Sequence, residues 1–242
     1  MFRFLLFALI VLAIADPAMA QSMTLKLGDD KTPLFTSKVI QFVGLITLLS
    51  VAPSILIMVT SFTRVVIVFS FLRTALGLQQ TPPNSVIISL ALFLTMFIMA
   101  PVFEQSYNHG IKPLMNEEIE EGEAFTKISD PFKSFMLEHV REKDLSLFIE
   151  IAKIEVKEKK DVPLHVIIPA FMISELKRAF EIGFLIFLPF LIIDMLVASI
   201  LMAMGMMMIP PVMVSLPFKL IFFVLIDGWY MICGSLIKSY ML

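Results

Sequence analysis

The chain is poor in the residues that build metal, redox and phosphate sites. Of 242 residues, one is cysteine and three are histidine. Cys233 alone cannot form an intramolecular disulfide, and it lies in an apolar run, so it reports no redox compartment. His109, His139 and His165 are far apart, and no His/Cys pair has zinc-ligand spacing, so no metal site is expected. No glycine-rich loop is arranged to cradle phosphate, so no nucleotide cofactor is expected and any energy from nucleotide hydrolysis must come from a partner. Basic tracts are absent, which argues against nucleic acid as a partner. Charge of either sign is scarce, at 17% of residues.

Apolar sequence fills the space. Hydrophobic residues make up 58% of the chain and mean hydropathy is +0.91, far above the roughly 45 to 50% apolar content of soluble domains. The chain therefore reads as a membrane or membrane-complex protein in contact with lipid. Net charge is only −2, yet 16 of the 21 acids and 11 of the 19 bases fall between Glu104 and Glu181. One soluble segment is thus inserted into an apolar chain.

The start reads as a processing signal. Arg3 precedes the apolar run Phe4 to Ala15, close to the h-region length of about 7 to 15 residues, and Ala18-Met19-Ala20 offers cleavage after Ala20. The alternative is an uncleaved first span, although the run is shorter than the ~20 residues a span needs. The rest predicts an all-α fold of two long hydrophobic helical hairpins with a charged helical segment between them. The expected divisions are a signal at 1–20, an exported leader at 21–38, a first hairpin at 39–103, a charged amphipathic segment at 104–181 and a second hairpin at 182–242. Cleavage would place Gln21 outside, the Gln79–Asn84 turn in the cytoplasm, and the charged segment in the periplasm.

Prolines and capping residues set the expected turns. Pro82 and Pro83 break the first hairpin, where Asn84 or Ser85 can cap the next helix. Val39 to Leu72 as one helix would span about 50 Å, longer than the ~30 Å hydrocarbon core. Pro53 is expected to break or kink it, and part of it either tilts strongly or packs on protein. Pro163 and Pro169 are expected to interrupt Val162–Ala170. In the charged segment Phe132, Phe135, Met136, Val140, Leu145 and Phe148 recur at helical spacing and should pack on neighbours. The second hairpin turns at Pro210-Pro211.

Polar residues in the apolar arms carry the functional signal. Arg64 lies among Val59, Phe62, Val65, Val66 and Val68, so it should face protein or water. Lys219 has no acid three or four residues away, so its counter-ion must come from another segment or subunit. Arg64, Asp194 and Asp227 are candidates for buried polar networks. Met202, Met204, Met206, Met207, Met208 and Met213 surround Gly205 and Pro210-Pro211. Methionine can fill an apolar helix as leucine does. Placed in a loop, its flexible thioether can also close a constriction and deform.

The core SILIMVTSFTRVVIVFSFLRTALGLQQTPPN within Ser50–Pro101 closely resembles the flagellar biosynthetic protein FliP family, which includes the equivalent subunit of virulence type III secretion systems. The likeness continues through Pro189, the methionine cluster, Pro210 and Pro211, and Asp227-Gly228-Trp229. The first forty residues and Glu104–Lys160 carry little of it. The resemblance implies a non-enzymatic pore subunit of the bacterial inner membrane, in the flagellar basal body, with part of its chain at periplasmic level. It implies about five copies assembling with FliQ and FliR, beside FlhA and FlhB, to pass unfolded export substrates. It further implies that Met206, Met207 and Met208 form a gasket across the pore, and that Glu175 pairs with Lys219 between neighbouring copies.

Two other classes stay open on residues alone. A secondary transporter or proton-coupled channel would use Arg64, Asp194, Lys219 and Asp227 at mid-membrane. An intramembrane aspartyl protease would use Asp194 and Asp227 as a carboxylate pair, but no G-x-G-D motif surrounds Asp194.

Overall fold

The computed structural model describes residues 33–156, 158–206 and 208–241, so the expected cleavage at Ala20 and the leader to residue 32 lie outside the described residues. Every regular element described is helical, as the composition and periodicity predict. The chain divides into two compact units, 1–50 and 51–242. The described part of the first is the beginning of helix α1, Pro33–Met58. The second holds the remaining described helices.

Pro53 does not end α1 but lies inside it, contrary to the expected break. One proline removes a single backbone hydrogen bond, and apolar helices tolerate this where neighbours compensate. The interruption comes instead at Val59–Ser61. There the Thr60 hydroxyl donates to the Ile57 carbonyl at 3.2 Å and accepts from the Phe62 N–H at 3.4 Å. Such local bonds offer the backbone an alternative to the helical ladder.

Helix α2, Phe62–Ala75, follows and is the hub of the unit. It buries Arg64, Val65, Val68, Phe69, Leu72 and Ala75, one stripe at helical spacing. Beyond it Gly77 takes φ +77°, a left-handed conformation that glycine adopts without steric cost. The turn is then pinned by Arg73, whose Nη1 donates to Asn84 Oδ1 at 2.6 Å and to the Pro82 carbonyl at 3.3 Å. Asn84 therefore binds Arg73 rather than capping the next helix.

Helix α3, Asn84–Ser106, continues through a widened turn at Tyr107–Ile111 and a last turn at Lys112–Met115. The widened turn presses on helix α4, Glu121–His139. A Cβ on Gly110 would lie 2.9 Å from the Ile128 backbone nitrogen, so only glycine fits. Ser106 Oγ also donates to the Ile128 carbonyl at 2.9 Å. Helix α5, Glu142–Ala152, ends at Lys153 in the left-handed region. Phe135, Met136, Val140 and Leu145 from this charged segment are buried, with Phe132 and Phe148 packed against them, as their spacing predicts.

Helix α6, Leu164–Ala203, is 40 residues long, roughly 60 Å at ~1.5 Å per residue. Pro163 stands just before its first turn, where a missing N–H costs nothing. Pro169 and Pro189 lie within it, so the expected interruption at Pro169 does not occur. The helix also runs without a break through position 181, where the charged segment was expected to end. A Cβ on Gly183 would meet the Phe71 ring at 2.5 Å, which lets α2 and α6 approach closely. Helix α7, Pro211–Leu225, returns from the Pro210-Pro211 turn. The second arm bends by 61° into helix α8, Gly228–Met241. Asp227 makes the bend at φ +50°, a left-handed conformation that aspartate tolerates better than most residues.

One core joins α2, α3, α4, α6 and α8 through Val65, Phe69, Met99, Phe135, Phe171 and Leu236. A smaller one, Leu72, Ala75, Leu76, Phe190 and Phe223, sits under the second hairpin. Among the described residues two helical runs, Asn84–Met115 and Leu164–Ala203, are long and apolar enough to cross a membrane, or up to four if each bent pair is one span.

Candidate functional site: buried ion pairs and a methionine loop

Helix α2 carries Arg64 inward because its position shares the stripe of Val65, Val68 and Leu72. Its guanidinium meets Glu175 of α6 as a fork. Nε donates to Oε2 at 2.9 Å, and Nη2 donates to Oε1. Nη1 donates to Ser239 Oγ at 3.0 Å, and the Tyr240 hydroxyl donates to Glu175 Oε2. The guanidinium carbon also lies 3.9 Å from the Tyr240 ring centre. Arg64 and Glu175 are 1% and 0% exposed, so neither charge is screened by water. A bidentate pair with an added hydroxyl donor and a stacked ring is the arrangement that offsets burying both ions. Tyr240 packs in turn against the adjacent α4 rings of Phe135, at 5.8 Å, and His139, at 5.0 Å. Three helices distant in sequence are locked at one point.

A second pair lies farther along α6. Lys219 of α7 donates to Asp194 Oδ2 at 2.7 Å and to the Ala75 carbonyl at 3.2 Å. Ser215, one turn before Lys219, donates to Asp194 Oδ1 at 2.5 Å. The lysine therefore finds its counter-ion on the facing arm of its own hairpin and a further acceptor at the end of α2. Glu175 and Asp194 are 19 residues apart on one helix, a rise of roughly 28 Å.

A third pair ties the charged segment to α6. Arg141 donates to Asp144 through Nε at 2.8 Å and Nη2 at 2.9 Å. Ser174 donates to the same carboxylate at 2.6 Å and accepts from the Arg141 backbone N–H at 3.1 Å. Burial pushes the Asp144 carboxyl up, but hydrogen bonds from Arg141 and Ser174 and the charges of Arg141 and Lys143 outweigh it. The carboxyl is held below its ordinary range.

Of the expected polar network, Arg64 and Asp194 thus belong to separate pairs. Asp227 joins neither: it is exposed at the α7–α8 bend. Glu175 and Lys219, expected to pair between copies, each have another partner within one chain. Sequence reasoning did not find Tyr240, Ser239 or the Ala75 carbonyl, whose roles depend on contacts across many intervening residues. Ser215 was findable, since it lies four residues before Lys219 and shares its helix face.

The methionine loop lies between α6 and α7. Gly205, at φ +75°, ends α6, and Met206 and Met208 follow in irregular chain before Pro210. Met208 is 98% exposed and Met206 43%; Met207 lies outside the described residues. Beside the loop an apolar cavity of about 470 Å³ is lined by Leu196, Ile200, Met204, Val214 and Phe218, among others.

Comparison with known proteins places this arrangement. The FliP family matches residues 45–236. The flagellar biosynthetic protein FliP of Caulobacter vibrioides is 59% identical over 92% of this chain and 84% of its own length. That of Bacillus subtilis is 57% identical over 86% of this chain and 95% of its own. That of Rhizobium meliloti is 51% identical over 99% of this chain and all of its own. The match covers most of both hairpins, the charged segment and the six residues of the three ion pairs: the chain belongs to the FliP family.

Proposed function

We propose that this chain is a pore-forming subunit of a flagellar protein export gate in the bacterial inner membrane. Several copies, about five, pack their hairpins around an axis together with FliQ and FliR proteins and beside FlhA and FlhB, and unfolded substrates pass along that axis. The loop at Met206–Met208 closes the path, its thioethers yielding when a chain passes. One observation carries this reading: the loop between the two arms of the second hairpin is apolar yet uncovered by its own chain, with Met208 almost fully exposed. In water such a loop has no reason to be rich in methionine, whereas around an axis neighbouring copies would cover it.

The buried pairs support the same reading. Arg64 with Glu175, and Lys219 with Asp194, hold helices in fixed relation and leave outward faces such as Phe93, Phe97, Phe184, Leu185 and Val224 apolar. Those faces suit lipid or neighbouring subunits. The pairing of Glu175 with Lys219 between copies belongs to this proposal and requires both residues to leave partners they hold within one chain.

The test is conductance in planar bilayers of the protein co-purified with FliQ and FliR proteins. Deleting Met206–Met208 should raise the resting current at least tenfold over the parent complex. An unchanged current in an assembled deletion complex would contradict the closure.

A further inference from the structure

We propose that Met206 and Met208 are a site of reversible oxidative modification, and that peroxide-class oxidants loosen the closure by converting their thioethers to sulfoxides. The consequence for closure rests on the pore reading above; the modification itself does not.

The methionines stand in different surroundings. Met99 and Met136 are fully buried in the core that joins α3, α4 and α6. Met96 and Met195 are exposed on apolar helices long enough to cross a membrane, and Met231 is exposed on α8, the second helix of the bent α7–α8 pair. Met206 and Met208 stand in irregular chain between Gly205 and Pro210, outside any helix, with 43% and 98% of their surface free. Neighbouring copies would cover part of the loop, and the part that faces the aqueous path presents its sulfurs to small solutes. Met204 and Met213, 62% and 70% exposed, flank the loop, whereas Met115, 73% exposed at the end of α3, lies in the charged segment, far from it in sequence.

The chemistry needs no catalytic group. A sulfur lone pair attacks one peroxide oxygen, the S–O bond forms as the O–O bond breaks, and the departing hydroxide takes the remaining proton as water. Sulfur loses two electrons and hydrogen peroxide gains them. The product is polar, chiral and a strong hydrogen-bond acceptor, so it attracts water where the thioether excluded it. Sulfoxide reductases reverse the change, so the closure can be restored without new synthesis.

The test uses the co-purified complex treated with hydrogen peroxide. Peptide mass mapping should find oxygen added to the loop peptide at least tenfold faster than to the peptides carrying Met99 and Met136. Resting conductance should rise at least threefold and return after treatment with methionine sulfoxide reductases A and B plus a thiol reductant. The Met206→Leu/Met208→Leu variant should lose at least four-fifths of that rise, while Met115→Leu should keep it. Protection of the loop peptide to the level of Met99 would overturn the inference and leave the pore reading standing. Oxidation without a change in current would also overturn it, provided deletion of Met206–Met208 still opens the complex; if deletion too were silent, the pore reading itself would fall.

Discussion

Glu175→Ala is the most informative single change. The carboxylate is fully buried and takes the Arg64 fork and the Tyr240 hydroxyl, while Arg64 is itself 1% exposed. Removing it strands a guanidinium in the α2–α6–α8 core, with only Ser239 and the Tyr240 ring left to it. Breaking one side of a buried pair costs about 3 to 5 kcal/mol, whereas replacing both partners by apolar residues of similar size is often close to neutral. The double variant Arg64→Met/Glu175→Leu should therefore be more stable than Glu175→Ala by at least about 2 kcal/mol. Tyr240→Phe removes one hydrogen bond to a charged acceptor and should cost about 1.5 to 3 kcal/mol. The chain's one tryptophan supplies the assay: Trp229 lies 5.6 Å from Phe223 and 6.1 Å from Phe69, measured between ring centres, so its fluorescence reports release of α8. Denaturant titration in detergent, arranged as a double-mutant cycle, gives the coupling directly. Additive losses from the two sites would refute the claim that they act as one pair.

Lys219→Met alone should destabilise the second hairpin more than Lys219→Met/Asp194→Leu, because it leaves a partly buried carboxylate with only Ser215; the same titration measures both. Gly110→Ala forces a Cβ within 2.9 Å of the Ile128 backbone and should cost about 1 to 3 kcal/mol by thermal unfolding. Gly122→Ala, with open space around it in α4, should instead be stabilising by about 0.5 to 1 kcal/mol. Asp144 has a lowered folded pKa, so its contribution is present above the unfolded value of about 3.9 and is lost as pH falls through the folded one. Protection of α5 amides against hydrogen exchange should fall on acidification below about pH 4 in the parent, while Asp144→Asn should start lower and change less across that window.

The hairpins were legible because proline and asparagine mark turns between apolar runs, and both Gln79–Asn84 and Pro210–Pro211 fall where those signals put them. The effect of proline inside an apolar helix was not legible. Pro53 and Pro169 read as interruptions, yet packed helices accept the lost hydrogen bond, and the real break came from the short Val59–Ser61 stretch. The bend at Asp227 had a readable signal, an aspartate before a glycine within the second apolar arm. That Arg64 and Lys219 need partners followed from electrostatics alone. Their identity did not, because Glu175 is 111 residues from Arg64 in the chain and only the folded α2–α6 contact brings the two together.

Cross-linking at the loop tests the account most directly. In a Cys233→Ser chain carrying Met208→Cys, mild oxidation of the membrane-embedded assembly should join neighbouring copies as covalent dimers, since the loops meet at one axis. Monomers alone, from a cysteine that a membrane-permeant maleimide still labels, would mean that the loops point away from one another and that the methionines close nothing.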